Sequence, residues 1–163
     1  MIVISDTTPL ISLLKIGKLG LLERLFHEIL IPQAVYEELT SNPRFYDEAL
    51  QIRNCDFIRQ VKVGNIDSVI LLQRAAGIDR GESEAIIYTD EYHADLLLMD
   101  EAKARLVAKQ MGLKIMGTIG VLLAAYDKGF IQKEDVLACI EVMRKTGRHI
   151  SELLYKQLVE KLS

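Results

Sequence analysis

Two short apolar runs in this chain each stop at an aspartate, and each is followed by a segment with helical spacing. Met1 to Ser5 (MIVIS) leads into Asp6, and Asp95 to Met99 (DLLLM) leads into Asp100. A β-branched or leucine-rich run of this length, bounded by a turn or helix-start signal, reads as a strand buried on both faces. Asp6-Thr7-Thr8-Pro9 is such a signal. It predicts a helix over Leu10–Ile16 with Thr7 or Thr8 as its N-cap and Pro9 in its first turn.

The alternation continues along the chain. Apolar spacing predicts helices over 19–26, 33–39, 46–52 and 66–76. Further helices are predicted over 81–93, 102–111, 119–128 and 133–145, and a last one begins at Ser151. Short strands are predicted at Glu28–Ile31, ended by Pro32, at Phe57–Val63, and at Lys114–Met116 before Gly117-Thr118. Strands alternating with helices indicate an α/β fold with a central parallel sheet covered on both sides. No repeat or linker interrupts the pattern. The expectation is a single domain over 1–163, with 133–163 as C-terminal helices packed on its edge.

The 163 residues suffice for one domain with a real core, and half of them are hydrophobic. The net charge is −3, so affinity for nucleic acid cannot come from bulk charge. It would need a local basic patch or metal ions that neutralise an acidic site. Cys55 and Cys139 lie far apart and in no metal-binding spacing, which suggests a reduced, intracellular protein. No stretch approaches the ~20 apolar residues of a membrane helix, and the N-terminus lacks the layout of a signal peptide. The expected location is the cytoplasm, with no membrane partner.

In an open parallel sheet, sites form beyond the carboxyl ends of the strands. If the strands before Asp6 and Asp100 are neighbours, their carboxylates meet at one sheet edge. Clustered carboxylate oxygens are what Mg²⁺ and similar hard cations bind. Taken singly, each aspartate is better read as a helix cap, and only the pair points to a site. Glu38 sits near the end of its helix, where the dipole disfavours a carboxylate. Glu82 opens the helix Gly81-Glu82-Ser83-Glu84, where a first-turn acid suits the dipole; Glu84 and Asp79 are its nearby substitutes.

These segments together resemble the PIN domain, and in particular the PIN-like branch found among prokaryotic toxin–antitoxin proteins. ISDTTPLI, IPQAVYEEL, GESEAIIYT and LLLMDEAKAR stand in the family's order, and KIMGTIGVLLAAYDKGFI resembles their continuation. The resemblance spans roughly residues 1–135. It implies a three-layer α/β/α sandwich. It also implies acidic residues that hold one or two Mg²⁺ or Mn²⁺ ions and hydrolyse single-stranded RNA. Asp6, Glu38, Glu82 and Asp100 match the four acids in turn, as catalytic and metal-binding residues. Thr7 sits where the family often has a hydroxyl residue, and Glu101 is a further outer carboxylate. The third acid departs from the family's usual Asp, and the choice between Glu82 and Glu84 stays open. The resemblance further implies a homodimer and a small antitoxin partner.

Arg80, Lys103 and Arg105 are the basic residues nearest these acids in sequence, and are the candidates for substrate binding. Arg144, Lys145, Arg148 and His149 form a second basic cluster, better read as a solvated face. His27, His93 and His149 have no ligand spacing. The apolar helices over 10–16 and 19–26 could be a dimer surface or core. The main expectation is a metal-dependent endoribonuclease. The alternative is the same fold with a weakened site, acting as a nucleic-acid-binding or interaction module. A nucleotide-binding α/β domain is disfavoured, because no glycine-rich loop follows the first strand.

Overall fold

The computed structural model describes residues 1–147 and 150–163, and these divide into two compact units, Met1–Thr118 and Ile119–Ser163. The first unit holds five strands: β1 (Val3–Ser5), β2 (Ile29–Pro32), β3 (Ile58–Val61), β4 (Leu96–Leu98) and β5 (Ile115–Met116). All pair in parallel, in the order β3-β2-β1-β4-β5.

That order follows from how the connections run. The chain steps outward from β1 to β2 and β3, then returns to the other side of β1 with β4 and β5. The reversal puts a switch point between β1 and β4, where the crossovers diverge and leave a crevice beyond the strand ends. Val3, Ile4 and Ser5 pair with Leu96, Leu97 and Leu98. The Asp6 N–H extends this ladder by donating to the Leu98 carbonyl at 3.0 Å. Asp6 and Asp100 therefore leave the sheet at the same edge, on adjacent strands.

Seven helices accompany the sheet in this unit: α1 (Thr7–Lys15), α2 (Gly20–Phe26), α3 (Gln33–Ser41), α4 (Tyr46–Arg53), α5 (Ile66–Ala76), α6 (Arg80–Glu91) and α7 (Ala102–Gln110). Side chains alternate along a strand, so Ile4, Leu30 and Leu97 share one face. There they join Val69 of α5, Ile86 of α6, and Ala104 and Ala108 of α7 in one core cluster. Residues of opposite parity, Val3, Ile29, Ile31 and Leu98, are buried as well, as are Leu10, Leu13 and Leu22 of α1 and α2. Both faces are covered, and the architecture is the α/β/α sandwich. The apolar side chains of α1 and α2 thus lie mostly inside the folded chain. Leu97→Ala would cost about 2–5 kcal/mol, as truncations in close-packed cores do.

Two helix starts beside the acidic residues differ from expectation. α1 begins at Thr7, not Leu10, so Asp6 occupies its N-cap position and Pro9 falls inside the first turn. Proline lacks an N–H that the first turn does not use, which lets the helix start early. α6 begins at Arg80, one residue earlier than predicted, because Asp79 caps it. A short 3-10 turn at Pro43–Phe45, absent from the sequence reading, is started by Asn42, whose side chain accepts from the Arg44 N–H. α5 closes on Gly77 at φ +66°, a conformation that favours glycine. His27 and His93 also take positive φ at helix ends.

The second unit contains most of α8 (Thr118–Asp127), then α9 (Lys133–Lys145) and α10 (Glu152–Leu162). Val136, Cys139, Ile140 and Met143 form the buried stripe of α9, with the spacing of one helix face. Arg144 lies over the Tyr155 ring at 4.7 Å and reaches Glu152 at 3.6 Å, which ties α9 to α10. Arg148 and His149, two members of the second basic cluster, lie outside the described residues. No helix among the described residues is long and apolar enough to cross a membrane.

Candidate active site

Asp6 is the centre of the site. Strand β1 delivers it to the switch point, and the residue is 3% exposed. Its backbone has the extended conformation of an N-cap, yet its side chain makes no capping hydrogen bond. An aspartate in this position ordinarily bonds an N–H of the first turn. Burial, above all, pushes its carboxyl well above the usual carboxylate range. A backbone hydrogen bond from Thr7 opposes this, and the negative charges of Asp79, Glu82 and Glu38 add to it. A buried, crowded and uncapped carboxylate is destabilising to the fold, and an arrangement of this kind marks a candidate functional site.

The neighbouring acids arrive from α3 and α6, which pack against each other. A methyl group built on Gly81 would stand 3.4 Å from Glu38 Oε2 and 3.6 Å from Asp79 Oδ1, so these two carboxylates flank the first turn of α6. Glu38 is exposed and accepts a hydrogen bond from Thr7 Oγ1 at 2.8 Å. Thr7 thereby joins the residue after Asp6 to the α3 acid.

Asp79 and Glu82 hold each other in a capping box. Asp79 Oδ1 accepts from the Glu82 N–H at 2.7 Å, and Glu82 Oε1 accepts from the Asp79 N–H at 2.9 Å. The reciprocal bonds fix both carboxylates at the helix N-terminus. Burial, followed by the Asp79 and Glu101 charges, raises the Glu82 carboxyl above its ordinary value; the Asp79 N–H partly offsets this.

Glu84 faces elsewhere. It accepts from the Ala34 N–H at 3.1 Å and from Arg80 Nε at 2.6 Å, so it supports the start of α3. The structure thus separates the two candidates for the third acid. Glu82 stands in the field of Asp6, whereas Glu84 is committed to a backbone donor and an arginine.

Asp100 sits two residues beyond Leu98, at the same sheet edge. Thr118 holds both of its oxygens: the backbone N–H donates to Oδ1 at 2.7 Å and the hydroxyl to Oδ2 at 2.5 Å. The charges that raise Asp6 come from Asp79, Glu82 and Glu38, and the charge of Glu101, the residue after Asp100, acts on Glu82. Of the three predicted cationic residues, Arg105 is the one placed beside this acid. It donates to the Met99 carbonyl at 2.8 Å, and a methyl group on Gly117 would touch both Arg105 Nη1 and Asp100 Oδ1. Lys103 instead donates to the Gly77 carbonyl at 3.2 Å, and Arg80 is held by Glu84.

Sequence reasoning missed Thr118 and named Asp79 only as a substitute. The Asp79 signal was available, because an acid three residues before Glu82 has capping-box spacing. The Thr118 signal was weaker: a hydroxyl residue at a helix start, beyond a two-residue strand.

The donor set is carboxylate and hydroxyl oxygen, which suits Mg²⁺ or Mn²⁺ and not a soft metal. Asp6 fits such an ion best, since a cation would offset the charge that burial and its neighbours leave uncompensated. Among the described residues, no three His, Cys, Asp or Glu side chains are already gathered to hold a metal. An ion here would be held by one or two carboxylates and by water, as Mg²⁺ often is.

The sequence matches the family model described as PIN domain over residues 2–163. No curated protein matches the chain.

Proposed function

The chain belongs to the PIN-domain family, which has a nuclease-type fold, and from that premise we propose that it is a metal-dependent endoribonuclease acting on single-stranded RNA. The observation that carries the reading is Asp6: a buried, uncapped carboxylate at the switch point, in the field of Glu38, Asp79 and Glu82. One or two Mg²⁺ or Mn²⁺ ions would lower the pKa of water and stabilise charge on the leaving 3′-oxygen.

The chain's own residues prepare for this. Asp6 and Asp100 would hold the metal from adjacent strands, with Glu38 and Glu82 completing the site directly or through water. Thr7 keeps Glu38 turned toward Asp6, and the capping box keeps Glu82 in place. The raised proton affinity of Glu82 suits it to accept a proton released by the attacking water. Arg105, beside Asp100, is the cation best placed to meet a phosphate of the substrate.

The family resemblance supports a narrower reading: the toxin of a toxin–antitoxin pair, acting in the cytoplasm as a homodimer restrained by a small antitoxin protein. Co-expression with the product of an adjacent small gene should relieve any growth arrest the chain causes.

One observation favours a second reading. Both Asp100 oxygens already accept hydrogen bonds, and no three-carboxylate cage is formed among the described residues. A PIN-like module that binds RNA without cutting it would tolerate this.

Incubation with a defined single-stranded RNA decides between them. The nuclease reading expects cleavage with Mn²⁺ or Mg²⁺, its loss in EDTA, and its loss in Asp6→Asn and Asp100→Asn. Binding without cleavage under every divalent metal favours the module. Cleavage that survives both substitutions removes the proposed site.

A further inference from the structure

A cleft of about 500 Å³ opens beside the acidic cluster, on the β2–β3 side of the C-terminal sheet edge. Its volume lies within the range of roughly 300–1,000 Å³ typical of small-ligand sites. Gln33 and Glu37 of α3 form one wall, and Arg80 and Glu84 of α6 another. Lys62 and Val63, just beyond β3, lie across from them, and Ile66 adds an exposed apolar side chain.

The cleft and the acidic cluster share their walls. On α3, Glu37 lines the cleft and the next residue, Glu38, belongs to the cluster. On α6, Arg80 and Glu84 line the cleft, while Asp79 and Glu82 belong to the cluster. RNA cut at the acidic cluster would meet the cleft across these shared walls of α3 and α6.

We propose that the cleft is a nucleotide subsite that takes the base next to the scissile phosphate, and that its chemistry fits guanine. The inference rests on the reading of the acidic cluster as an RNA-cleaving centre. Lys62, which is exposed, supplies the positive charge that a nucleotide's phosphate requires, and the half-exposed Arg80, paired at Nε with Glu84, lines the same cleft. Ile66 supplies exposed apolar surface for a base, with the mostly buried Val63 beside it in the lining. Glu37 supplies the reader. It is exposed, and the Gln33 side-chain amide donates to its Oε1 at 2.9 Å, which orients the carboxylate. A carboxylate accepts two parallel hydrogen bonds from a base with adjacent N–H donors. Guanine offers such a pair at N1 and N2; uracil offers one N–H between two acceptors. Glu84 is unsuited to reading, because Ala34 and Arg80 already occupy its oxygens. Single-stranded RNA is read in this way, by hydrogen bonds to the Watson–Crick edge of an unstacked base.

Titration of the ¹⁵N-labelled full chain with GMP and with UMP, in Mg²⁺, tests the subsite without requiring cleavage. GMP should shift the amide signals of Lys62, Val63 and Ile66 saturably, and UMP should bind several-fold more weakly. Lys62→Ala should weaken GMP binding, and Glu37→Gln should erase the preference for GMP over UMP. Both positions are exposed, so the fold should survive. If GMP produces no saturable shift at these residues, the subsite is overturned. If UMP binds as well as GMP, the guanine assignment is overturned. GMP binding in the cleft of a chain that never cuts RNA would leave the subsite standing and remove the nuclease reading.

Discussion

Thr118 donates twice to Asp100, with its backbone N–H to Oδ1 at 2.7 Å and its hydroxyl to Oδ2 at 2.5 Å. The two residues come from the ends of paired strands, since β4 delivers Asp100 and β5 delivers Thr118. The contact therefore fixes the acid relative to the sheet and not merely to its own helix. Both carboxylate oxygens are thereby held from the neighbouring strand. Thr118 is thus suited to be a positioning residue.

Thr118→Ala removes the hydroxyl bond and keeps the backbone one. Loss of a hydrogen bond to a charged group costs about 1.5–3 kcal/mol of stability. Substitutions behind a metal ligand typically lower metal affinity or activity roughly 10–100-fold. Thr118→Ser should restore both. Cleavage rates as a function of Mn²⁺ concentration, measured for all three proteins, check this. A merely structural threonine would leave the metal dependence of the Ala variant unchanged once folding is accounted for.

Gly117 is a second constraint on the same acid. A methyl group there would lie 2.8 Å from Asp100 Oδ1 and 3.1 Å from Arg105 Nη1. The Asp100 side chain is short and held at both oxygens, so it cannot move aside without breaking the Thr118 bonds. Gly117→Ala should depress cleavage at least as far as Thr118→Ala does. Gly17 has nothing within 4 Å of the same position but a φ of +68°, so Gly17→Ala should strain the backbone and spare the kinetics.

The alternation of apolar runs and helices made the sheet legible, because burial on both faces leaves an unbroken hydrophobic signature. Asp6 and Asp100 were legible for the same reason: each ends such a run. The relation between Glu82 and Glu84 was not legible. Both are acids in the first turns of one helix, and which of them faces Asp6 depends on how α3 docks on α6. The anchoring of Arg80 and Lys103 was not legible from proximity in sequence either. Their partners, Glu84 and the Gly77 carbonyl, are set by packing that composition does not encode.

Glu82 and Glu84 should separate on substitution. Glutamine still serves at the third position of a capping box, so Glu82→Gln should fold normally and lose cleavage. Glu84→Gln loses its charge-assisted bond with Arg80 in a site that is 5% exposed, though Arg80 itself is partly solvated. It should lower the melting temperature and keep kcat. Chemical denaturation paired with a cleavage assay distinguishes the two. Equal loss of kcat in both would mean that Glu84 also serves the site.

Asp6 carries a pH signature with a definite sign. Its carboxyl in the folded chain holds its proton more tightly than in the unfolded chain. Between the ordinary carboxylate pKa of about 3.9 and the raised folded value, the folded state binds more protons, so stability falls as pH rises through that window. Above the window the full penalty persists. Asp6→Asn removes the charge, so in metal-free buffer it should melt above the wild type at pH 7, with the gap closing toward pH 4. Mg²⁺ or Mn²⁺ should act unequally on the two proteins. An ion bound only by the folded wild type, at a hundred times its Kd, adds about 2.7 kcal/mol and raises the melting temperature by several degrees. Asp6→Asn should show little of that rise, and EDTA should return the wild type to its metal-free value. Thermal melts at pH 4, 5.5 and 7, with and without metal, give all of these numbers. A wild type more stable than Asp6→Asn at pH 7 in EDTA would mean that the buried carboxylate is compensated within the chain and needs no cation.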